Sequence, residues 1–230
     1  MNNKIISASL LAADSACLGQ ECVDVVRAGA DWIHIDVMDG HFVPQLTWGP
    51  KVIQDIRSCV SAIFDVHLMV LDPDIQSYID AGSDCITFHP RAVRDPLGSL
   101  QLIKESGVKS GFAISPDEKL NEWPDSFWQD FDFVLLMSVM PGAGGQKFIP
   151  ETESRLRWIK SRYPKIKVAV DGGINGQTIQ YVKDADIFIA GSAIFSSSCY
   201  EKEHTYEKYM CSIQSLKNGL QRFSVLPTSS

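Results

Sequence analysis

Eight short apolar runs, each followed by an amphipathic stretch, set the narrowest limit on what this chain can fold into. Runs at 5–10, 32–37, 62–69, 85–88, 109–114, 131–137, 167–170 and 187–190 read as strands. Stretches at 19–28, 50–59, 74–81, 97–106, 119–128, 151–163, 178–183 and 203–216 read as the helices between and after them, the second opening on Pro50. A strand followed by a helix, repeated, implies a parallel sheet. Eight such units in 230 residues match a single closed (β/α)8 barrel of the TIM type. An open doubly wound sheet would carry a glycine fingerprint after its first strand, whereas Ser9-Leu10-Leu11-Ala12-Ala13-Asp14 stands there. We expect one domain over 1–222 and a flexible C-terminal tail over 223–230.

In such a barrel the chemistry belongs at the C-terminal strand ends and in the loops beyond them. Residues two apart on a strand share a face. The second strand therefore points His34, Asp36 and Met38 one way and Ile33, Ile35 and Val37 the other. The apolar set suits packing on helices, which leaves His34 and Asp36 inside. The same parity places Asp65, His67 and Met69 inside on the third strand, and Asp171 ends the seventh. Burying these acids and histidines together is costly unless they pair with one another or hold a cation. Both outcomes stay open at this stage: a hydrogen-bonded polar layer, or a divalent metal such as zinc, iron or manganese on two imidazoles and two carboxylates. Glycines follow three adjacent strands: Gly142, Gly144 and Gly145 after the sixth, Gly172 and Gly173 after the seventh, Gly191 after the eighth. Loops at these positions bring backbone N–H groups close to a phosphate in this fold.

The formal net charge of -7 disfavours nucleic acid and anionic membranes, which need a basic face, but not a small anion held by backbone. Six cysteines occur with no C-x-x-C pair, the pattern of free thiols in a reducing cytoplasm. No secretory signal is read at the start, and no apolar stretch approaches the ~20 residues of a membrane span.

The stretches His34-Ile35-Asp36-Val37-Met38-Asp39-Gly40-His41-Phe42-Val43-Pro44, Asp65-Val66-His67-Leu68-Met69, residues 141–148, Val170-Asp171-Gly172-Gly173-Ile174 and Ala190-Gly191-Ser192-Ala193-Ile194-Phe195, in this order, resemble the ribulose-phosphate 3-epimerase family over nearly the whole chain. The resemblance implies interconversion of D-ribulose 5-phosphate and D-xylulose 5-phosphate in the pentose phosphate pathway. It implies one divalent ion per subunit (Zn2+, Fe2+, Mn2+ or Co2+) on His34, Asp36, His67 and Asp171, with Asp36 and Asp171 as the two proton-transfer groups. It further implies substrate contacts from Ser9, His67, Gly142, Ala143, Gly144, Gly145, Asp171, Gly172, Gly173, Gly191 and Ser192, and a thioether lining of Met38, Met69 and Met137. A homo-oligomer and a small sugar-phosphate partner are expected.

The chain departs from the family's usual pattern at several positions. Arg91 and Ala169 stand where glutamates are usual, Ala8 for a proline, Ala12 for a serine and Gln45 for an asparagine. Between Asp171 and Gly191 it is about two residues shorter. For Arg91 two readings are open, a contact to an anionic group or a solvated loop-end cation. Three other activities compete with the pentose epimerase. An epimerase of a ketohexose 6-phosphate such as allulose 6-phosphate would use the same residues. A related barrel decarboxylase would need an Asp-x-Lys that the second strand lacks. A non-catalytic phosphosugar-binding barrel would have to leave the acid–base set idle.

Overall fold

The structure is a computed structural model that describes residues 4–195 and 205–221. Its strands are β1 Ile5–Ser9, β2 Trp32–Met38, β3 Ile63–Met69, β4 Cys85–Phe88, β5 Lys109–Ile114, β6 Phe133–Met137, β7 Lys167–Asp171 and β8 Ile187–Ala190. Each pairs in parallel with the next, and β8 returns to β1, which closes the barrel. The helices are α1 Leu18–Arg27, α2 Pro50–Arg57, α3 Ile75–Asp80, α4 Pro96–Glu105, α5 Asp125–Asp130, α6 Thr152–Arg162, α7 Ser192–Phe195 and α8 Thr205–Gln221. The expected tail, 223–230, lies outside the described residues, as do residues 203 and 204 of the last expected helix.

Three expectations change in detail. The single helix expected over 119–128 is instead a 3-10 turn, Leu120–Glu122, followed by α5. Pro124 separates them: it removes an N–H and holds the preceding residue out of the helical region. The helix expected over 178–183 is a 3-10 segment, Thr178–Val182. The four-residue α7 has no counterpart among the expected helices, because one turn is too short to show a period.

Strand alternation divides the apolar residues into two cores. Ile33, Ile35, Phe64, Val66, Phe112, Val134, Val168 and Phe188 face outward into one layer shared with the helices. Full burial of each such side chain is worth about 1.5–3 kcal/mol. The inward set is split by position around the barrel. On the side of β5–β8 it is apolar: Ala113, Phe133, Leu135, Met137, Ala169, Ile187 and Ile189. On the side of β1–β4 it is polar and equally buried: Ser7, Ser9, His34, Asp36, Asp65, His67 and Thr87, with His89 just past β4.

The opposite, N-terminal end carries a fourfold device. Asp31, Asp84, Asp132 and Asp186 each stand immediately before an even-numbered strand. Each carboxylate accepts from a backbone N–H on the preceding odd strand: Ile6 at 2.9 Å, Phe64 at 2.8 Å, Ser110 at 2.8 Å and Val168 at 2.9 Å. The same four aspartates donate their own N–H back to the carbonyls of those residues. Each clasp fixes the register of an odd–even strand pair, and register decides which side chains point inward. The closed end is thus bound by stability groups, and the polar interior opens at the other end.

Candidate active site

The polar interior is organised around Asp36. Its Oδ2 accepts from Ser9 Oγ at 2.8 Å. Its Oδ1 lies 3.2 Å from His34 Nε2 and 3.1 Å from His67 Nδ1. The β2–β3 register places Asp36 beside His67 and His34 beside Asp65. His34 Nδ1 meets Asp65 Oδ2 at 2.8 Å. One imidazole is therefore held between two carboxylates. His67 Nε2 in turn lies 2.9 Å from His89 Nε2.

Asp171 reaches the cluster from the end of β7, directly across the barrel from β3. Its backbone carbonyl is held by Ser138, which donates its N–H and its Oγ–H, both at 2.7 Å. One donor atom each from His34, Asp36, His67 and Asp171 lie within 4.8 Å of one another. Two imidazoles and two carboxylates converging at this range form a set that suits a divalent transition metal, and the group can hold such an ion.

The electrostatics follow from burial and pairing. Burial alone would lower His34, but Asp36 and Asp65 more than reverse this and hold its imidazole well above the usual range. Burial alone would raise Asp36; His34, then His67, hold it far below the usual carboxylate range instead. Asp171 goes the other way. Burial, and then the negative charge of Asp36, raise it to about 6. Two nearby carboxylates are thus shifted in opposite directions, the arrangement that separates a base from an acid.

Above the cluster opens a cavity of about 550 Å³, mouth included. Ser9, Asp36, Met38, Met69, Met137, Gly142, Ala143, Gly144, Gly145, Asp171, Gly172, Gly173, Gly191 and Ser192 all border it. His34 and His67 lie beneath, with no exposure. The methionines divide by packing: Met38 and Met69 pack with Val43, while Met137 belongs to the barrel core below. No Lys or Arg among the described residues borders the cavity, so an anionic group there would depend on backbone N–H groups. The loops have the backbone that this requires. Gly173 has φ of +62°, and a Cβ on it would meet Phe148 N at 2.7 Å, so a side chain is excluded twice over. Gln146 ties the sixth loop to itself through Met140 and Ala143 carbonyls at 2.6 and 2.9 Å.

Asp65, His89 and Ser138 were missing from the sequence-derived site. Parity from Cys85 and Thr87 places His89 inside, and parity on the third strand places Asp65 inside without showing its partner. Ser138 offered no signal before the β6–β7 register was known. Arg91 meets an anionic group, but one of the chain's own: Nε lies 3.2 Å from Glu118 and Nη2 2.8 Å from Glu122, away from the cavity lining. Ala169 is fully buried in the barrel core below Asp171.

Comparison with known proteins finds a family and relatives for this chain. The sequence profile described as "Ribulose-phosphate 3 epimerase family" matches residues 5–195. A ribulose-phosphate 3-epimerase of Escherichia coli (strain K12) is 43% identical over 211 residues, covering 88% of this chain and 93% of the relative. One from Candida glabrata is 37% identical over 218 residues, covering 86% and 88%. Among solved structures, KGPDC from Streptococcus mutans superposes with a TM-score of 0.65 over 97% of this chain and 100% of that one; at 14% identity it speaks for the barrel alone. The profile spans the whole β1–β8 barrel and every residue of the buried cluster, and on that match the chain belongs to the ribulose-phosphate 3-epimerase family, an isomerase class of enzyme.

Proposed function

We propose that the chain interconverts D-ribulose 5-phosphate and D-xylulose 5-phosphate by moving the C3 proton between two aspartates on opposite walls of the cavity. The observation that carries this reading is the pairing of Asp36 with Asp171. They stand on β2 and β7, three strands apart round the barrel, and their acidities are shifted in opposite directions, Asp36 downward and Asp171 upward. Inverting a carbon through a planar intermediate needs one proton acceptor and one proton donor, one on each face.

The C3 hydrogen is adjacent to a ketone, so its removal leaves an enediolate. Asp36 starts ionised and accepts the proton from one face. Asp171 starts protonated and donates from the other. The reverse epimerisation runs with the roles exchanged, and the two titrate as a coupled pair. Ser9 holds Asp36 Oδ2 at 2.8 Å and so fixes the direction in which that carboxylate points. His34, Asp36, His67 and Asp171 would hold one divalent ion, of which Zn2+, Fe2+, Mn2+ and Co2+ all suit the donor set. When bound, the ion supplies positive charge next to the developing enediolate oxygens. Met38, Met69 and Met137 supply a polarizable, dry wall that strengthens every charge interaction nearby. The glycine-bearing loops at 142–145, 172–173 and 191–192 take the phosphate through backbone N–H groups.

The enzyme acts on a small sugar phosphate as a homo-oligomer in the cytoplasm. Self-association is supported by Leu46 and Leu71, 76% and 58% exposed, which both adjoin Asp39 through the Asp39–Leu46 bridge and the Leu71 N–H. A cytoplasmic setting is supported by free thiols at Cys17, Cys22, Cys59, Cys85 and Cys211. Among the described residues no helix is long and apolar enough to cross a membrane.

A coupled assay with metal-loaded protein on ribulose 5-phosphate and on allulose 6-phosphate tests the function. We expect turnover of the pentose phosphate, abolished by chelation and reduced at least ~10²-fold in both Asp36→Asn and Asp171→Asn. Preference for the hexose phosphate, or a full rate in either variant, overturns it.

A further inference from the structure

We infer that His89 is a positioning residue for the metal donor His67: its Nε2–H donates a hydrogen bond to His67 Nε2 in the metal-free protein, and its Nε2 accepts one from His67 when the ion is bound. This rests on the reading of His67 Nδ1 as a metal donor.

The geometry leads to it in steps. His67 and His89 are both without exposure. Their rings lie 5.1 Å apart between centroids, tilted by 31°, with the two Nε2 atoms at 2.9 Å. Two ring nitrogens at that distance share one proton, so one ring donates and the other accepts. Which one donates is fixed at the other end of His67. Its Nδ1 lies 3.1 Å from Asp36 Oδ1, and an ionised carboxylate only accepts. Without metal, Nδ1 of His67 therefore carries the proton and its Nε2 offers a lone pair. His89 must then donate from Nε2, which leaves its Nδ1 as a bare lone pair. That atom has no hydrogen-bond partner among the described residues, and Phe42 lies against the ring with centroids 4.8 Å apart.

A bound cation reverses every element of this chain. His67 Nδ1 must present its lone pair to the ion, so its proton leaves. A neutral His67 then holds its hydrogen on Nε2, and His89 Nε2 must accept. The protons balance: His67 exchanges an Nδ1 proton for an Nε2 proton, and His89 exchanges an Nε2 proton for an Nδ1 proton. The total carried by the two rings is unchanged. A residue beyond His67 must therefore be able both to donate and to accept a hydrogen bond at one point. Imidazole does so by changing tautomer, and a glutamine amide can do so by rotating. A leucine can do neither.

The test uses the full chain with zinc as probe, because zinc is diamagnetic. In the wild-type protein, ring ¹⁵N spectra should place the His67 proton on Nδ1 without metal and on Nε2 with zinc, and the His89 proton on Nε2 and then Nδ1. Zinc affinity, read by competition with a chromophoric chelator, should fall ~10–100-fold in His89→Leu. In His89→Gln it should stay within ~5-fold of wild type, since that variant keeps a donor and an acceptor. Thermal unfolding of the metal-free proteins checks that each variant folds; should His89→Leu fail to fold, the wild-type spectra and His89→Gln decide alone. The inference is overturned if His67 keeps its Nδ1 proton in the zinc-loaded protein, if His89→Leu binds zinc like wild type, or if His89→Gln loses as much affinity as His89→Leu. Failure of the underlying reading looks different: wild-type protein would then bind no zinc at all, or His67→Ala would bind it unchanged, and either result removes both.

Discussion

Replacing Asp65 should weaken metal binding in two graded steps although Asp65 itself is not a donor to the ion. Its Oδ2 accepts from His34 Nδ1 at 2.8 Å, and both side chains are without exposure. That bond keeps a hydrogen on Nδ1 and leaves Nε2 free to face the ion. A buried charge-assisted bond of this kind is worth about 1.5–3 kcal/mol, and a neutral one about 0.5–1.5 kcal/mol. Asp65→Asn keeps an acceptor of the same shape and removes the charge, so it should cost about 1–1.5 kcal/mol, or ~5–10-fold in zinc affinity. Asp65→Leu removes the acceptor, strands the Nδ1 hydrogen and lets His34 take its other tautomer. Loss of the whole bond, about 1.5–3 kcal/mol, corresponds to ~10–150-fold. Competition titrations on folded, metal-free variants give both numbers. Wild-type affinity in Asp65→Leu, or a larger loss in Asp65→Asn than in Asp65→Leu, would refute the reasoning.

Three further outcomes follow from other parts of the molecule. Protons and zinc compete for His34, whose imidazole Asp36 and Asp65 hold well above the usual range, so apparent zinc affinity should rise with pH and about one proton should be released per ion. Calorimetry in two buffers of different ionisation enthalpy reads that count, and zinc binding with no proton release, or with an affinity independent of pH, would contradict it. Arg91→Glu sets a third acid beside Glu118 and Glu122 and should cost about 1–3 kcal/mol of stability, seen as a Tm lower by several degrees, with KM unchanged because Arg91 does not border the cavity. Asp31→Ala opens one of the four clasps and should cost about 1 kcal/mol by denaturant unfolding with kcat intact, since it leaves the Ile6 N–H without its acceptor.

The strands of the barrel were legible because both period and length of the apolar runs are local properties. Period two on β2 and β3 alone placed His34, Asp36, Asp65 and His67 inside. What the chain did not reveal locally were relations between strands. The sequence shows an aspartate before each even strand, but only the barrel register brings Asp31 to Ile6 or Asp186 to Val168. The pairing of His67 with His89 likewise needs β3 and β4 side by side. For Arg91 the sequence leaves both a contact to an anionic group and a solvated loop-end cation open. Arg91 pairs with the buried Glu118 and the exposed Glu122, which could not be read without knowing that both face it.

The central claim, that two aspartates on opposite walls pass a proton at C3, is tested most directly in deuterated water. Metal-loaded protein given unlabelled ribulose 5-phosphate should form xylulose 5-phosphate carrying deuterium at C3, because the proton taken by one carboxylate is not the one delivered by the other. Product formed with C3 hydrogen wholly retained, or no exchange at C3 in a protein whose metal site is demonstrably filled, would contradict it.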